Sequence, residues 1–140
     1  MTERDVIVNL YEAFNRGDIP AVLATIDPQA ELVFEGTPAI PWAGTWRGLE
    51  GWTNFFGAVG GALDELSVSM EIFAVDGERV VAAGRYRGRV KSNDQRIDSP
   101  LVHLWTVRNG RIVRCVETTN TAVEAAACTA AGHFTRSVTS

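Results

Sequence analysis

Apolar residues near the N-terminus recur every three or four positions, which is the spacing of an amphipathic helix. This apolar stripe runs over residues 6–14, and Gly17 ends it. Asp18 can cap a short second helix over residues 19–26, in which Pro20 occupies the first turn, where a missing N–H group costs nothing. The chain is therefore predicted to begin with two helices.

The middle of the chain is predicted to hold one strand, one irregular segment and a third helix. Residues 31–35 are β-rich, whereas residues 36–48 hold too many prolines and glycines for regular structure. This loop carries Trp42 and Trp46, which either form a lid or wall of a binding pocket or fold back into the core. Residues 48–62 regain helical spacing, but several glycines lower their helix propensity, so packing must hold this helix.

Four β-rich runs and a final helix complete the predicted order of elements. Asp76-Gly77 and Asn109-Gly110 are two-residue turn signals, and Asn-Gly between β-rich runs is the strongest short-range sign of a hairpin. Thr121 and Glu124 match a capping box ahead of a helix over residues 122–131. Helix, helix, strand, helix and then an antiparallel meander is typical of an α+β domain. The four runs cover residues 66–75, 79–90, 97–107 and 111–119.

Length and charge narrow the class of protein. A chain of 140 residues fits one domain, which we place at residues 1–131, followed by a flexible tail over residues 132–140. The mild net charge of −4 disfavours nucleic acid as a partner, and no apolar run is long enough to span a bilayer. The N-terminus lacks the apolar core of a signal peptide. We therefore expect a cytoplasmic protein that binds neither nucleic acid nor membrane.

Metal and cofactor chemistry is also disfavoured by the sequence. Cys115 and Cys128 form no CxxC pattern and are expected to be structural thiols. His103 and His133 are the two histidines of the chain, and the second stands in the predicted tail. The sequence has no glycine-rich phosphate motif and no nucleophile elbow. A site without metal or cofactor is the prediction.

The hairpin around Asn109-Gly110 carries the strongest candidate chemistry, because His103 and Glu117 stand there among apolar neighbours. Whether these two side chains share a face of the sheet depends on the turn. A two-residue loop sets His103 opposite Val116, so that Glu117 points to the other face. A three-residue loop that includes Arg108 brings His103 and Glu117 to one face. Hydrophobicity does not decide between these registers, since both give two mostly apolar faces.

The neighbouring β-rich run, residues 79–90, has two contrasting faces. One face carries three arginines at alternate positions, which are most simply solvated or turned toward a dimer partner. The other face carries Tyr86, which we therefore expect in a pocket, with Ala82 and Gly84 leaving room for a ligand. The arginines are Arg85, Arg87 and Arg89.

Three stretches of the chain, residues 15–18, 38–51 and 103–120, resemble the SnoaL-like polyketide cyclase group of the ketosteroid isomerase and nuclear-transport-factor-like superfamily. The resemblance spans roughly residues 2–126. It implies a cone-shaped, strongly curved mixed sheet wrapped around three helices, a cystatin-like α+β barrel with a deep apolar pocket, and usually a homodimer. Members include isomerases, aldol-type cyclases, epoxide hydrolases, dehydratases and proteins without catalysis, so fold alone does not choose among them.

The resemblance also implies roles for individual residues. It points to Glu117 as a general base assisted by His103, and it favours the three-residue loop that places them on one face. Desolvation in an apolar pocket raises the pKa of a carboxyl group, and a nearby imidazole or phenol can donate a hydrogen bond to a developing enolate. The residues expected to bind the substrate are Phe14, Phe34, Trp42, Phe56, Tyr86, Trp105 and Asn120.

Departures from related enzymes narrow the reaction further. Ketosteroid isomerases place their base just after the first strand, where this chain has Phe34 and Glu35, and limonene-type epoxide hydrolases need Arg-x-Asp where it has residues 101–103. Asn120 stands where SnoaL-like sequences often have Asp. We expect a cofactor-independent acid–base enzyme that cyclises or isomerises a hydrophobic carbonyl or polyketide-like compound. The alternatives are a non-catalytic protein that binds a hydrophobic ligand or dimerises, and a hydrolase or dehydratase.

Overall fold

A computed structural model describes residues 1–131. The predicted tail, residues 132–140 with His133, lies outside the described residues. The described part contains four helices, α1 (Glu3–Asn15), α2 (Ile19–Leu23), α3 (Gly48–Ala62) and α4 (Thr121–Thr129). Its six strands are β1 (Ile26–Phe34), β2 (Gly44–Arg47), β3 (Leu63–Asp76), β4 (Arg79–Val90), β5 (Arg96–Arg108) and β6 (Arg111–Thr119).

The six strands form one mixed sheet in the order β2-β1-β6-β5-β4-β3. Strands β1 and β6 run parallel, and the other neighbouring pairs are antiparallel. Helix α3 contacts β1 and β2 at one edge of the sheet and β3 at the other, so the sheet curves around it. Helix α1 packs on β3, β4 and β5, and α4 packs on β5. The predicted α+β class, with a curved mixed sheet around helices, is confirmed.

The helix starts follow from local side-chain chemistry. Thr2 and Asp5 form a reciprocal capping box at the start of α1, and Asp18 caps α2 by accepting a hydrogen bond from the Ala21 N–H. Among residues 1–131, no helix combines the length and the apolar character that a membrane span needs.

Several local features differ from the prediction. Residues 44–47, predicted as loop, form β2 against β1, because the Gly- and Pro-rich segment turns back onto the sheet edge. Strand β1 begins at Ile26 rather than at residue 31, which shortens α2, and a register shift accommodates Pro28. The predicted capping box at Thr121 is wrong. Asn120 is the N-cap of α4, and its side chain accepts a hydrogen bond from the Val123 N–H.

Gly84 has a packing role that the sequence did not indicate. A Cβ atom there would lie 1.9 Å from the carbonyl oxygen of Ser69. Strand β3 therefore approaches β4 closely at this point, next to its register shift between Met70 and Ile72. The missing side chain of Gly84 admits the backbone of β3 and does not enlarge the room for a ligand.

Candidate functional site

A pocket opens between the inner face of the sheet and helices α1 and α3. Its volume is about 690 Å³, open solvent at its mouth included. Most of the wall is aliphatic or aromatic, which is the usual chemistry of small-molecule sites, where a few polar groups give specificity. The residues of the wall that carry a hydroxyl, imidazole or carboxyl group are Tyr11, Tyr86, His103 and Glu117.

The wall contains eight of the nine residues that the sequence analysis placed in the site. Trp42 is 2% exposed and packs edge-to-face on Phe34, with 6.1 Å between ring centroids, so this loop residue belongs to both core and pocket wall. The predicted substrate-binding role of Asn120 is wrong, because this residue is exposed and caps α4 instead of facing the pocket. The eight are Phe14, Phe34, Trp42, Phe56, Tyr86, His103, Trp105 and Glu117.

His103 and Glu117 face each other directly across β5 and β6. Their exposed fractions are 5% and 9%, and His103 Nε2 lies 3.3 Å from Glu117 Oε1. Phe34 on β1 and Ala82 on β4 extend this row of paired residues across the sheet. A histidine and a carboxyl group thus lie side by side in the middle of the apolar inner face.

The register that unites this pair does not come from a three-residue loop. Arg108 pairs with Arg111, so Asn109 and Gly110 form a two-residue turn, both with positive φ. A register shift between Thr106 and Val107 then leaves Val113 unpaired and reverses the alternation of faces beyond it. The predicted loop length was wrong, and the bulge brings His103 and Glu117 to one face.

Tyr11 connects α1 to this pair through a buried chain of hydrogen bonds. The indole N–H of Trp105 donates to the Tyr11 hydroxyl at 2.9 Å, so the hydroxyl proton is directed at its other partner, Nδ1 of His103. Burial raises the pKa of the Tyr11 phenol, which keeps it a donor. Nδ1 therefore accepts, and the proton of the neutral imidazole resides on Nε2.

The Nε2 atom of His103 is buried and forms no hydrogen bond within the described part of the chain. Glu117 Oε1 lies 3.3 Å away, but the two atoms do not form a hydrogen bond. Buried donors are almost always satisfied, and an unpaired one calls for an explanation. Because His103 lines the pocket, an oxygen atom of a ligand can supply the missing acceptor.

A second polar cluster lies beside Tyr86. The hydroxyls of Tyr86 and Thr119 both bond to the carboxyl group of Glu124, which is fully buried in the first turn of α4. Burial raises the pKa of Glu124, and the negative charge of Glu117 raises it further, against the opposing effect of the two hydroxyl bonds.

His103, Cys115 and Glu117 are the group of residues here that could hold a metal ion. Their donor atoms all lie within 4.8 Å of one another, and all three side chains are buried. A metal needs the thiolate, whereas burial raises the pKa of the Cys115 thiol well above its usual value. The buried thiol therefore disfavours a metal ion at this group, and a site without metal or cofactor stays a prediction.

Tyr11 and Glu124 take part in these polar clusters but were not predicted as site residues from the sequence. Tyr11 stands on the buried stripe of α1, where a hydroxyl among apolar neighbours signals a buried hydrogen-bond partner. Glu124 is the sole charged residue of α4, in an alanine-rich helix, which is an unusual setting for a solvated glutamate. Both residues could have been singled out on those grounds.

The architecture has close counterparts among solved structures. An NTF2-like protein of unknown function from Burkholderia pseudomallei has a TM-score of 0.86 and 28% identity over 93% of this chain and 100% of its own. TerC, co-crystallised with polyporic acid, has a TM-score of 0.83 and 23% identity over 91% and 98%. A Jannaschia protein provisionally named a SnoaL-like polyketide cyclase has a TM-score of 0.79 and 19% identity over 92% of both chains.

These similarities define the class as the NTF2-like fold, which is also described as cystatin-like or ketosteroid isomerase-like. Within that class the chain belongs to the SnoaL-like domain family, whose pattern matches residues 7–115. Among curated proteins, none matches this chain. The predicted family resemblance is confirmed, and the activity of this chain has to be inferred from its own pocket.

Proposed function

We propose that the protein is a small-molecule enzyme that removes and returns a proton beside a carbonyl group, without a cofactor. The observation that carries the proposal is the buried His103–Glu117 pair at the wall of an otherwise apolar and aromatic pocket. The substrate is a hydrophobic carbonyl compound, and the reaction is a cyclisation or isomerisation. The presence of polyporic acid in crystals of TerC supports a pocket for small organic molecules. A cytoplasmic location remains part of the proposal.

Glu117 is the base in this proposal. Its carboxylate takes a proton from the carbon next to the carbonyl. Both electrons of the broken C–H bond stay with the substrate, which becomes an enolate with its negative charge on the carbonyl oxygen. The Nε2–H group of His103 donates a hydrogen bond to that oxygen, while Tyr11 holds Nδ1. The α-hydrogen and the oxygen of a ketone are close neighbours, which suits a base and a donor 3.3 Å apart. Return of the proton from Glu117 to carbon restores the enzyme.

The test uses 2-tetralone, an apolar bicyclic ketone with acidic α-hydrogens. In D2O the protein is expected to accelerate exchange of these hydrogens for deuterium above the rate in buffer, as measured by NMR. Naphthalene, which has a similar shape and no carbonyl, is expected to suppress the acceleration by filling the pocket. If 2-tetralone binds without any acceleration, the proposal fails, and the non-catalytic alternative takes its place.

We also propose that the protein is a homodimer that pairs through the outer face of the sheet. This face presents a patch of apolar side chains that the four helices do not cover, with exposed fractions of 61% for Ile72 and 38% for Val102. A large exposed apolar patch on a sheet marks an interaction surface, and a two-fold dimer makes such a patch self-complementary. The outer patch consists of Ile72, Val81, Val102, Leu104 and Val116.

Val102→Glu is expected to convert the dimer into a monomer, because it buries a charge without a partner in the interface. Val123→Glu is the matched control, since Val123 has the same exposed fraction of 38% but lies on α4. Light scattering after size-exclusion chromatography measures the mass of each species. A monomeric wild-type protein at micromolar concentration, or a dimeric Val102→Glu variant, would contradict this interface.

A further inference from the structure

The carboxyl group of Glu124 has an unusual set of partners. It is 0% exposed, and within residues 1–131 its hydrogen bonds come from the hydroxyls of Tyr86 and Thr119, with no cationic side chain at ion-pair distance. A buried carboxylate without a cation is unfavourable, so this group takes up a proton more readily than a solvated one. The residues that face it are Tyr86 from β4, Thr119 and Glu117 from β6, and Cys128 from its own helix.

Proton uptake by Glu124 changes the hydrogen bonds of Tyr86. With Glu124 ionised, both hydroxyls donate to it, and no donor is left over. With Glu124 protonated, the carboxylic acid can donate to the Tyr86 oxygen, and the Tyr86 hydroxyl proton is then free to bond elsewhere. Because Tyr86 lines the pocket, the free proton is available to a ligand there.

We propose that Tyr86, oriented by Glu124, forms a second binding position in the pocket, which donates a hydrogen bond to a ligand oxygen at the far end from the carbonyl held by His103 and Glu117. This inference rests on the proposed function and narrows its substrate class to apolar carbonyl compounds with a second, distal oxygen. Glu124 is the positioning residue, and Tyr86 contacts the ligand.

The spacing of the two positions defines how far apart these oxygens are. Glu124 joins the Tyr86 hydroxyl to Thr119, which lies on the inner face of β6 two residues beyond Glu117. Two residues along a strand correspond to about 7 Å. Because the Tyr86 hydroxyl shares the Glu124 carboxyl group with Thr119, the second position lies on this side of the pocket, and a bicyclic ketone with a distal oxygen is a suitable probe of it.

The experiment compares 2-tetralone with 6-methoxy-2-tetralone, whose ether oxygen lies at the far end and can only accept a hydrogen bond. Calorimetry gives the dissociation constants for the wild-type protein and for Tyr86→Phe. The preference of the wild-type protein for the methoxy ketone is expected to fall about three- to tenfold in Tyr86→Phe, which is the range for one lost hydrogen bond. A preference that is equal in both proteins overturns the inference.

The pH dependence provides a readout that a merely structural role of Glu124 would not move. The preference for the methoxy ketone should increase as the pH falls through the raised pKa of Glu124, because protonation frees the Tyr86 donor. Since the two ketones share the same ring and carbonyl group, an effect of pH on the carbonyl position acts on both and cancels in the ratio. Glu124→Gln is expected to abolish the pH dependence, and a dependence that persists in this variant overturns the role of Glu124.

Deuterium exchange of 2-tetralone separates this inference from the proposed function. If the protein catalyses exchange but Tyr86→Phe leaves the preference for the methoxy ketone unchanged, only the second binding position is contradicted. If the protein does not catalyse exchange but its preference for the methoxy ketone depends on Tyr86, only the proton chemistry is contradicted. The second binding position is then supported.

Discussion

Replacing Glu117 with glutamine is expected to slow the deuterium exchange of 2-tetralone by about 10²- to 10⁴-fold, the usual contribution of a general base. Glutamine keeps the shape of the side chain and its position opposite His103, but its amide cannot accept the α-hydrogen as a proton. The dissociation constant of 2-tetralone is expected to change little, because the wall of the pocket is mostly apolar. Exchange rates by NMR and affinities by calorimetry check the two parts separately.

Glu35→Gln is the matched control for Glu117→Gln. Glu35 is a second glutamate at the same end of the sheet, but it is exposed and bonds to Thr118 outside the pocket. Its replacement is expected to leave the exchange rate within about twofold, in line with surface substitutions away from any site. An exchange rate that survives in Glu117→Gln would assign the base to another group and contradict the proposal.

The fold could be predicted from the sequence because its signals are local. The apolar stripe of α1 and the cap at Asp18 each act within a few residues, and the structure confirms both. It also has a tight turn at each turn signal, but Gly77 and Glu78 form the first one rather than Asp76 and Gly77. Strand alternation in the same way placed Tyr86 in the pocket, where the structure has it.

The register of the last hairpin could not be predicted on those grounds, because it depends on contacts with distant segments. At the bulge, the Val107 N–H bonds to the Glu78 carbonyl at 2.7 Å, and the Ile112 N–H bonds to the Thr25 carbonyl at 2.9 Å. The turns just before β4 and β1 thus bind the hairpin on both sides of the bulge, where Val113 is the extra residue. A two-residue turn without a bulge would place Glu117 on the face opposite to His103, and the bulge restores the shared face that the family resemblance implied.

Glu124 illustrates a second limit of local patterns. Its position three residues after Thr121 matches a capping box, but the carboxyl group finds the hydroxyls of Tyr86 and Thr119 instead. Those partners are 38 and 5 residues away in the chain. Asn120 then takes over the capping role, which removes it from the pocket.

Trp52→Ala is expected to lower the free energy of unfolding by about 3–5 kcal/mol, the usual loss for a buried tryptophan. Helix α3 contains several glycines and has low intrinsic helix propensity, so its packing on the sheet must hold it. Trp52 provides much of that packing, since it is 1% exposed, stacks on Trp105 with centroids 6.5 Å apart, and donates to the Ala30 carbonyl. Urea unfolding followed by far-UV circular dichroism measures the loss without relying on tryptophan fluorescence.

The same substitution also tests whether the packing of α3 supports the chemistry. Trp105, on which Trp52 stacks, donates to Tyr11, which in turn orients His103. Trp52→Ala is therefore expected to reduce deuterium exchange even under conditions where the variant is fully folded. Trp46→Ala is the comparison, because Trp46 on β2 is half-buried and its indole N–H donates to the nearby Trp42 carbonyl. The loss of stability and the loss of exchange should both be smaller in this variant. Equal losses in the two variants would show that α3 is held by its general apolar surface rather than by the Trp52–Trp105 stack.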